Sequence, residues 1–201
     1  MKRANSPRTF GADRRITPAP ATPRARSLAA GVSIFALLLV LLAGCEQELA
    51  EPDVPALTAD EVSPDRLWDR ITEEAPYTSY AQWPGESGVQ PGQAPHGPFH
   101  RILVNKVLLD AVPVSGAIAP HGSIIVKENL NAGQELTGYT VMAKVDGYAP
   151  EDGDWYWARY LPDGTVAAAG AVESCIVCHA GMIANDYVIV HPLDEPLRRD
   201  E

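Results

Sequence analysis

Five residues near the end of this 201-residue chain, Cys175-Ile176-Val177-Cys178-His179, limit its fold more than any other stretch. Two thiols three positions apart lie on one helical turn, where they can add across the two vinyl groups of a single porphyrin. The adjacent imidazole then reaches the iron from the same face. This is the c-type haem attachment signature. Three other readings of the same residues stand beside it. A thioredoxin-like dithiol needs a strand-to-helix entry in a βαβ context, which the flanking sequence lacks. A zinc site would pair Cys175 and Cys178 with His96 and His100, spaced i, i+4. A local Cys175–Cys178 disulfide is the third.

The haem reading is sharpened by position, because only 22 residues follow His179. Small electron carriers place the signature near the start of the chain and draw an axial Met from far downstream. Here Met182 lies three residues past His179, on the same side of the iron, and Met142 is the only other Met after the first residue. No spacing argues for distal ligation by Met142, His96, His100, His121 or His191. An open sixth position, with a five-coordinate iron, is the expectation, and it favours small-molecule binding or oxidation over pure electron carriage.

Charge is segregated along the chain. Seven of 16 basic side chains (Lys2, Arg3, Arg8, Arg14, Arg15, Arg24, Arg26) and one of 26 acidic ones, Asp13, precede residue 46. The remaining 9 basic and 25 acidic residues give 46–201 a formal charge of −16, where the whole chain averages −10. That balance argues against a nucleic-acid partner, which needs Lys and Arg to displace phosphate counterions.

The basic stretch is followed by uncharged Ser27–Cys45, in which Ile34–Leu42 reads IFALLLVLL. This is the signal-peptide pattern. Leu42-Ala43-Gly44-Cys45 resembles the bacterial lipobox, which implies cleavage before Cys45, lipidation of its thiol and anchoring to the bilayer by several acyl chains, since one chain holds only marginally. An uncleaved helix is the alternative, because these 19 residues just span about 30 Å of hydrocarbon. On either reading the arginines stay inside, and the body lies beyond the cytoplasmic membrane, facing the periplasm or the exterior. Covalent haem attachment takes place on that side. The organisation expected is therefore a signal peptide over 1–45, an acidic Pro-containing tether over 46–61, a haem domain over 62–193 and a polar tail over 194–201.

Within the body, Ser63 suits a helix N-cap and Pro64 the first turn, with Leu67, Trp68 and Ile71 at helical spacing through Glu74. Residues 76–98 are Pro- and Gly-rich loop. Short β-rich runs follow at Phe99–Val104, Ser123–Glu128, Tyr139–Val145, Trp155–Leu161, Thr165–Ala169 and Tyr187–Val190, separated by turns such as Pro162-Asp163-Gly164. Lys106–Val112 reads as a short helix. The fold class is mainly β (α+β): an antiparallel sheet with a few peripheral helices.

Several of these stretches together resemble the cytochrome P460 family and its non-crosslinked relatives, the cytochromes c′-beta. They are Pro95–Phe99 (PHGPF), Arg101–Asn105 (RILVN), Gly122–Asn129 (GSIIVKEN), Tyr139–Lys144 (YTVMAK), Gly153–Tyr160 (GDWYWARY), Ala167–Gly170 (AAAG), Cys175–Ala180 and Asn185–Val188. The resemblance covers roughly 62–192. It implies a β-rich, often dimeric protein holding one covalent haem c, with a five-coordinate iron on His179 and thioethers at Cys175 and Cys178. In the P460 proteins proper a lysine is bonded to the porphyrin, and they oxidise hydroxylamine to nitrogen oxides; the matching residue is Lys127. Strand alternation puts Lys127 on the Ile125 face, with Ile124, Val126 and Glu128 on the other. The same rule pairs Trp155 with Trp157 and Tyr156 with Tyr160. Arg159 is a candidate partner for a haem propionate, and Glu128 and Glu173 are candidate proton carriers.

Two functions follow from the resemblance. One is a hydroxylamine-oxidising enzyme that passes electrons to a redox acceptor protein. The other is a protein that binds nitric oxide or a similar diatomic gas at an open iron. A simple electron carrier ranks third.

Overall fold

The computed structural model describes residues 52–197. The leader, the lipidation candidate Cys45, the start of the tether and the last four residues of the tail lie outside the described residues. Among the described residues no helix is long and apolar enough to cross a membrane.

Helix α1 (Pro64–Asp69) starts where Ser63 Oγ accepts a hydrogen bond from the Arg66 N–H at 3.1 Å, with Pro64 in the first turn. It continues into a π-type turn, Arg70–Glu74, so that Leu67 and Ile71 are both fully buried beneath one face of the sheet. The sheet has seven antiparallel strands. Short strands β1 (Ala81–Gln82) and β2 (Gln90–Pro91) both pair with β3 (Phe99–Val104). Strands β4 (Ile124–Leu130), β5 (Leu136–Lys144), β6 (Trp155–Tyr160) and β7 (Val166–Gly170) then follow, each paired to the one before. Helix α2 (Lys106–Ala111), capped by Asn105, links β3 to the approach to β4. The mainly β fold class expected from the sequence is the one found.

Alternation splits the sheet into two cores. Ile124, Val126, Val141, Tyr156, Ala158 and Tyr160 pack with α1 on one side. Ile102, Val104, Ile125, Met142, Trp155 and Trp157 pack on the other with Tyr187, Val188 and Leu193. The sheet separates the two sets, so each strand residue belongs to one core only.

Three differences from the sequence reading have physical causes. Tyr187–Val190 is not a strand, because Asp186 and Tyr187 take left-handed φ of 52° and 64° after the 3₁₀ segment Ala180–Asn185. The side-chain amide of Asn185 supplies the hydrogen bonds a neighbouring strand would have made. It donates to the carbonyls of Val188 (2.6 Å) and His191 (2.7 Å) and accepts from the Leu193 N–H (2.7 Å). The folded body also begins before residue 62: Leu57 is buried in the α1 core, and Arg70 donates to the Pro55 carbonyl. At the other end Leu197 packs against the second core, so part of the polar tail belongs to the domain.

Candidate haem site

Helix α3 (Glu173–His179) follows β7 after two residues and lies against the second core through Val172, Cys175 and Ile176. It buries none of its own residues. Cys175 is half-buried and Cys178 exposed, and both thiols are free.

His179 closes the helix with its ring fixed. Nδ1 lies 2.8 Å from the Tyr187 carbonyl, so Nδ1 carries the proton and the lone pair stands on Nε2. The Trp157 ring meets the imidazole edge-on at 4.8 Å. Burial holds the His179 pKa below its ordinary value, which favours the neutral, metal-binding form.

The carbonyl that orients His179 is itself held by an unusual backbone. Left-handed φ at non-glycine residues costs about 1–2 kcal/mol each, and Asp186 and Tyr187 both adopt it. Compensation comes from buried bonds. Trp155 Nε1 donates to the Asp186 carbonyl at 2.8 Å, and the Ala119 N–H and the Lys144 ammonium donate to the Asp186 carboxylate.

Sheet register lines up the rest of this face. Ile102, Lys127, Thr140 and Arg159 form one cross-strand row on β3–β6, and Val104, Ile125, Met142 and Trp157 form the next. Lys127 is half-buried, and burial lowers its pKa. Its charge in turn bears on His96, His100 and His179. His96 shares a 3.1 Å hydrogen bond with Thr140 Oγ1, and its ring lies 6.4 Å from that of His179, near-perpendicular to it. Burial, with Lys127 second, pushes both His96 and His100 down to about 4, so both are neutral at pH 7. Arg159 is exposed on this face and its charge reaches Cys175.

The structure thus brings Lys127, His96, His100 and Arg159 to the face that carries Cys175 and His179. Glu128 is a correction. It lies on the opposite face, where it accepts from Arg101 (2.6 Å) and from the Tyr77 hydroxyl (3.1 Å), and the sheet stands between it and His179. Glu173 sits exposed in the first turn of α3, at the rim. His121 faces Asp146 (3.3 Å) and Asp154 (3.8 Å), and His191 is bonded to the Glu195 carbonyl. Met142 is buried in the same core as Trp157.

The buried atoms test whether these residues suit a haem. His100 Nδ1 and Trp157 Nε1 are buried on this face with no hydrogen-bond partner, a costly state that a bound polar group would relieve. Burial raises the Cys175 pKa, the reverse of an activated redox thiol. Among the described residues the His/Cys/Asp/Glu group that closes to ligand-sharing distance is His121, Asp146 and Asp154, so the Cys–His zinc quartet is not assembled. Apolar Val177 on α3 is 66% exposed beside the two thiols. The donor set, the orphaned nitrogens and the half-covered helix fit a haem.

Spacing offers His96 only as a zinc or distal ligand candidate, and the residue that follows it explains why it reaches the site. Gly97 has φ +81°, and a Cβ there would lie 2.5 Å from the Leu130 carbonyl oxygen. Only glycine lets the loop carrying His96 lie this close to the end of β4. Gly97→Ala is expected to destabilise the domain by about 1–3 kcal/mol, read by denaturant unfolding, since backbone strain and steric overlap add.

The family model described as Cytochrome P460 matches residues 78–190, more than half of the chain. No curated protein matches it.

Proposed function

The chain belongs to the cytochrome P460 family and is a c-type haem protein, and on that premise we propose that it oxidises hydroxylamine to nitrogen oxides. Cys175 and Cys178 would hold the haem through thioethers, and His179 Nε2 would ligate its iron. The observation that carries the reading is Lys127, a half-buried amine on the His179 face of the sheet with its pKa lowered by burial. Because burial disfavours its charged form, this amine is suited to give up a proton or to form a bond through nitrogen. It also stands at the position where the family resemblance places the porphyrin crosslink.

When bound, haem would supply the redox chemistry, an iron able to accept electrons from the substrate. The protein's own groups then have distinct tasks. His179 is oriented by the Tyr187 carbonyl. Neutral His96 accepts protons, which hydroxylamine releases along with its electrons. Exposed Arg159 would be available to pair with a haem propionate. Trp157 and Met142 keep one side of the site dry. Electrons leave to an acceptor protein outside the cytoplasmic membrane, to which Cys45 anchors the chain.

Purified full-length protein, matured with haem, tests this. Expected results are hydroxylamine-dependent reduction of an artificial acceptor, a strongly red-shifted ferrous Soret band, and an intact mass showing one bond beyond the two thioethers. An ordinary ferrous haem c spectrum, tight nitric oxide binding and no hydroxylamine turnover would instead assign the chain to the gas-binding relatives.

A further inference from the structure

Lys144 and Asp186 form an ion pair shut inside the domain. Their side chains are 3% and 6% exposed, and Lys144 Nζ lies 2.7 Å and 2.6 Å from the two carboxylate oxygens. Such a pair is costly to desolvate, and replacing one with apolar side chains is often neutral or stabilising. Stability alone therefore does not account for it.

Its place in the fold does. Asp186 immediately precedes Tyr187, whose carbonyl receives the His179 Nδ1–H. Three separate segments grip Asp186: Lys144 at the end of β5, Trp155 at the start of β6 through the Asp186 carbonyl, and the Ala119 N–H through the carboxylate. The Lys144 ammonium also lies 5.1 Å from the centre of the Trp155 ring. Gly153 leaves the space this requires, since a Cβ there would stand 3.0 Å from the Tyr187 ring and 3.1 Å from Asp186 Oδ1. Two left-handed residues in succession keep one geometry only when their surroundings over-determine it, and here the ion pair is the charged part of those surroundings.

We infer that the Lys144–Asp186 pair is a positioning device for His179: it pins the Tyr187 carbonyl on the Nδ1–H and so sets how electron-rich the iron's ligand is. The inference rests on the reading of His179 as the iron ligand. A firmly held acceptor on Nδ1–H raises the basicity of Nε2, strengthens the iron–histidine bond and lowers the reduction potential. Releasing the carbonyl reverses each effect.

The test uses the haem-loaded full chain and the double variant Lys144→Met/Asp186→Asn, which leaves no buried charge unpaired. Asp186→Asn alone is the second variant, chosen because Asn tolerates the left-handed region. Resonance Raman of the ferrous protein reads the iron–histidine stretching band, and redox titration reads the midpoint potential. In folded variants with full haem content the band is expected to move to lower frequency and the potential to rise. A five-coordinate high-spin ferrous spectrum without an iron–histidine band, or an unmodified band in a His179→Gly variant supplied with imidazole-free haem, overturns the His179 reading, and the inference with it. A clear band in the unmodified protein that stays put in both variants, with the potential unmoved, overturns the inference alone, even where melting temperature falls.

Discussion

Changing Cys175 and Cys178 together to Ser is expected to remove all covalent haem from the protein. On a denaturing gel the peroxidase stain of haem should vanish, and the intact mass should fall by one porphyrin beyond the two substitutions. The argument rests on chemistry that no neighbouring group replaces. Both thiols lie on α3, free and within one turn, and they are the only Cys residues among those described. His179 remains in the variant, so haem supplied from outside can still ligate, but reversibly, and dilution or a competing apoprotein should strip it. Retained stain in the double variant would overturn the site. Thermal stability should fall as well. The helix is only partly covered by the second core, and attached haem would add apolar surface against it.

Lys127→Leu is expected to cut hydroxylamine oxidation by about 10²–10⁴-fold, the usual worth of a positioned proton-transfer group, with haem content unchanged. A second effect carries a sign. Burial first, and then the Lys127 charge for as long as its amine is unbonded, hold His96 and His100 down to about 4. Without that charge both pKa values rise, since a nearby cation opposes protonation of an imidazole. His96 must be neutral to take a proton, so the acid limb of the residual pH–rate profile should move to higher pH. Lys127→Arg separates the two effects. Its guanidinium keeps the cation but cannot deprotonate, so activity should fall while the acid limb stays in place. If Lys127→Leu retains full turnover and an unaltered ferrous spectrum, the lysine has no part in the chemistry.

Much of this domain could be read from its residues. The bounds of β3 were those of the run Phe99–Val104, and Ser63 caps the helix that its Ser-Pro-Asp sequence signals. Alternation correctly put Ile125 with Lys127 and Trp155 with Trp157, and that face is the one α3 covers. The same rule already set Glu128 apart from Lys127. Keeping both as site candidates conflicted with strand geometry, and the structure resolves the conflict against Glu128. What could not be read was long-range. Tyr187–Val190 has strand composition, but a buried carboxylate and an Asn185 side chain override local preference there. The approach of His96 to His179 depends on a loop–sheet contact at Gly97 that no periodicity encodes. The tether is acidic and Pro-rich, yet its end is held on the core by buried Leu57, by Val54 and by the Arg70–Pro55 hydrogen bond.

The order of the strands bears on how the protein is made. From β3 to β7 each strand pairs with its immediate successor, so the sheet is a meander whose contacts span short stretches of chain. Pairing between chain neighbours closes shorter loops than crossover connections would, so each strand addition loses less loop entropy. The segment that receives the cofactor comes after the last strand. The meander can therefore close as a scaffold before the helix carrying Cys175, Cys178 and His179 docks on it. Haem binding at α3 would then fall late in assembly, on a sheet already formed.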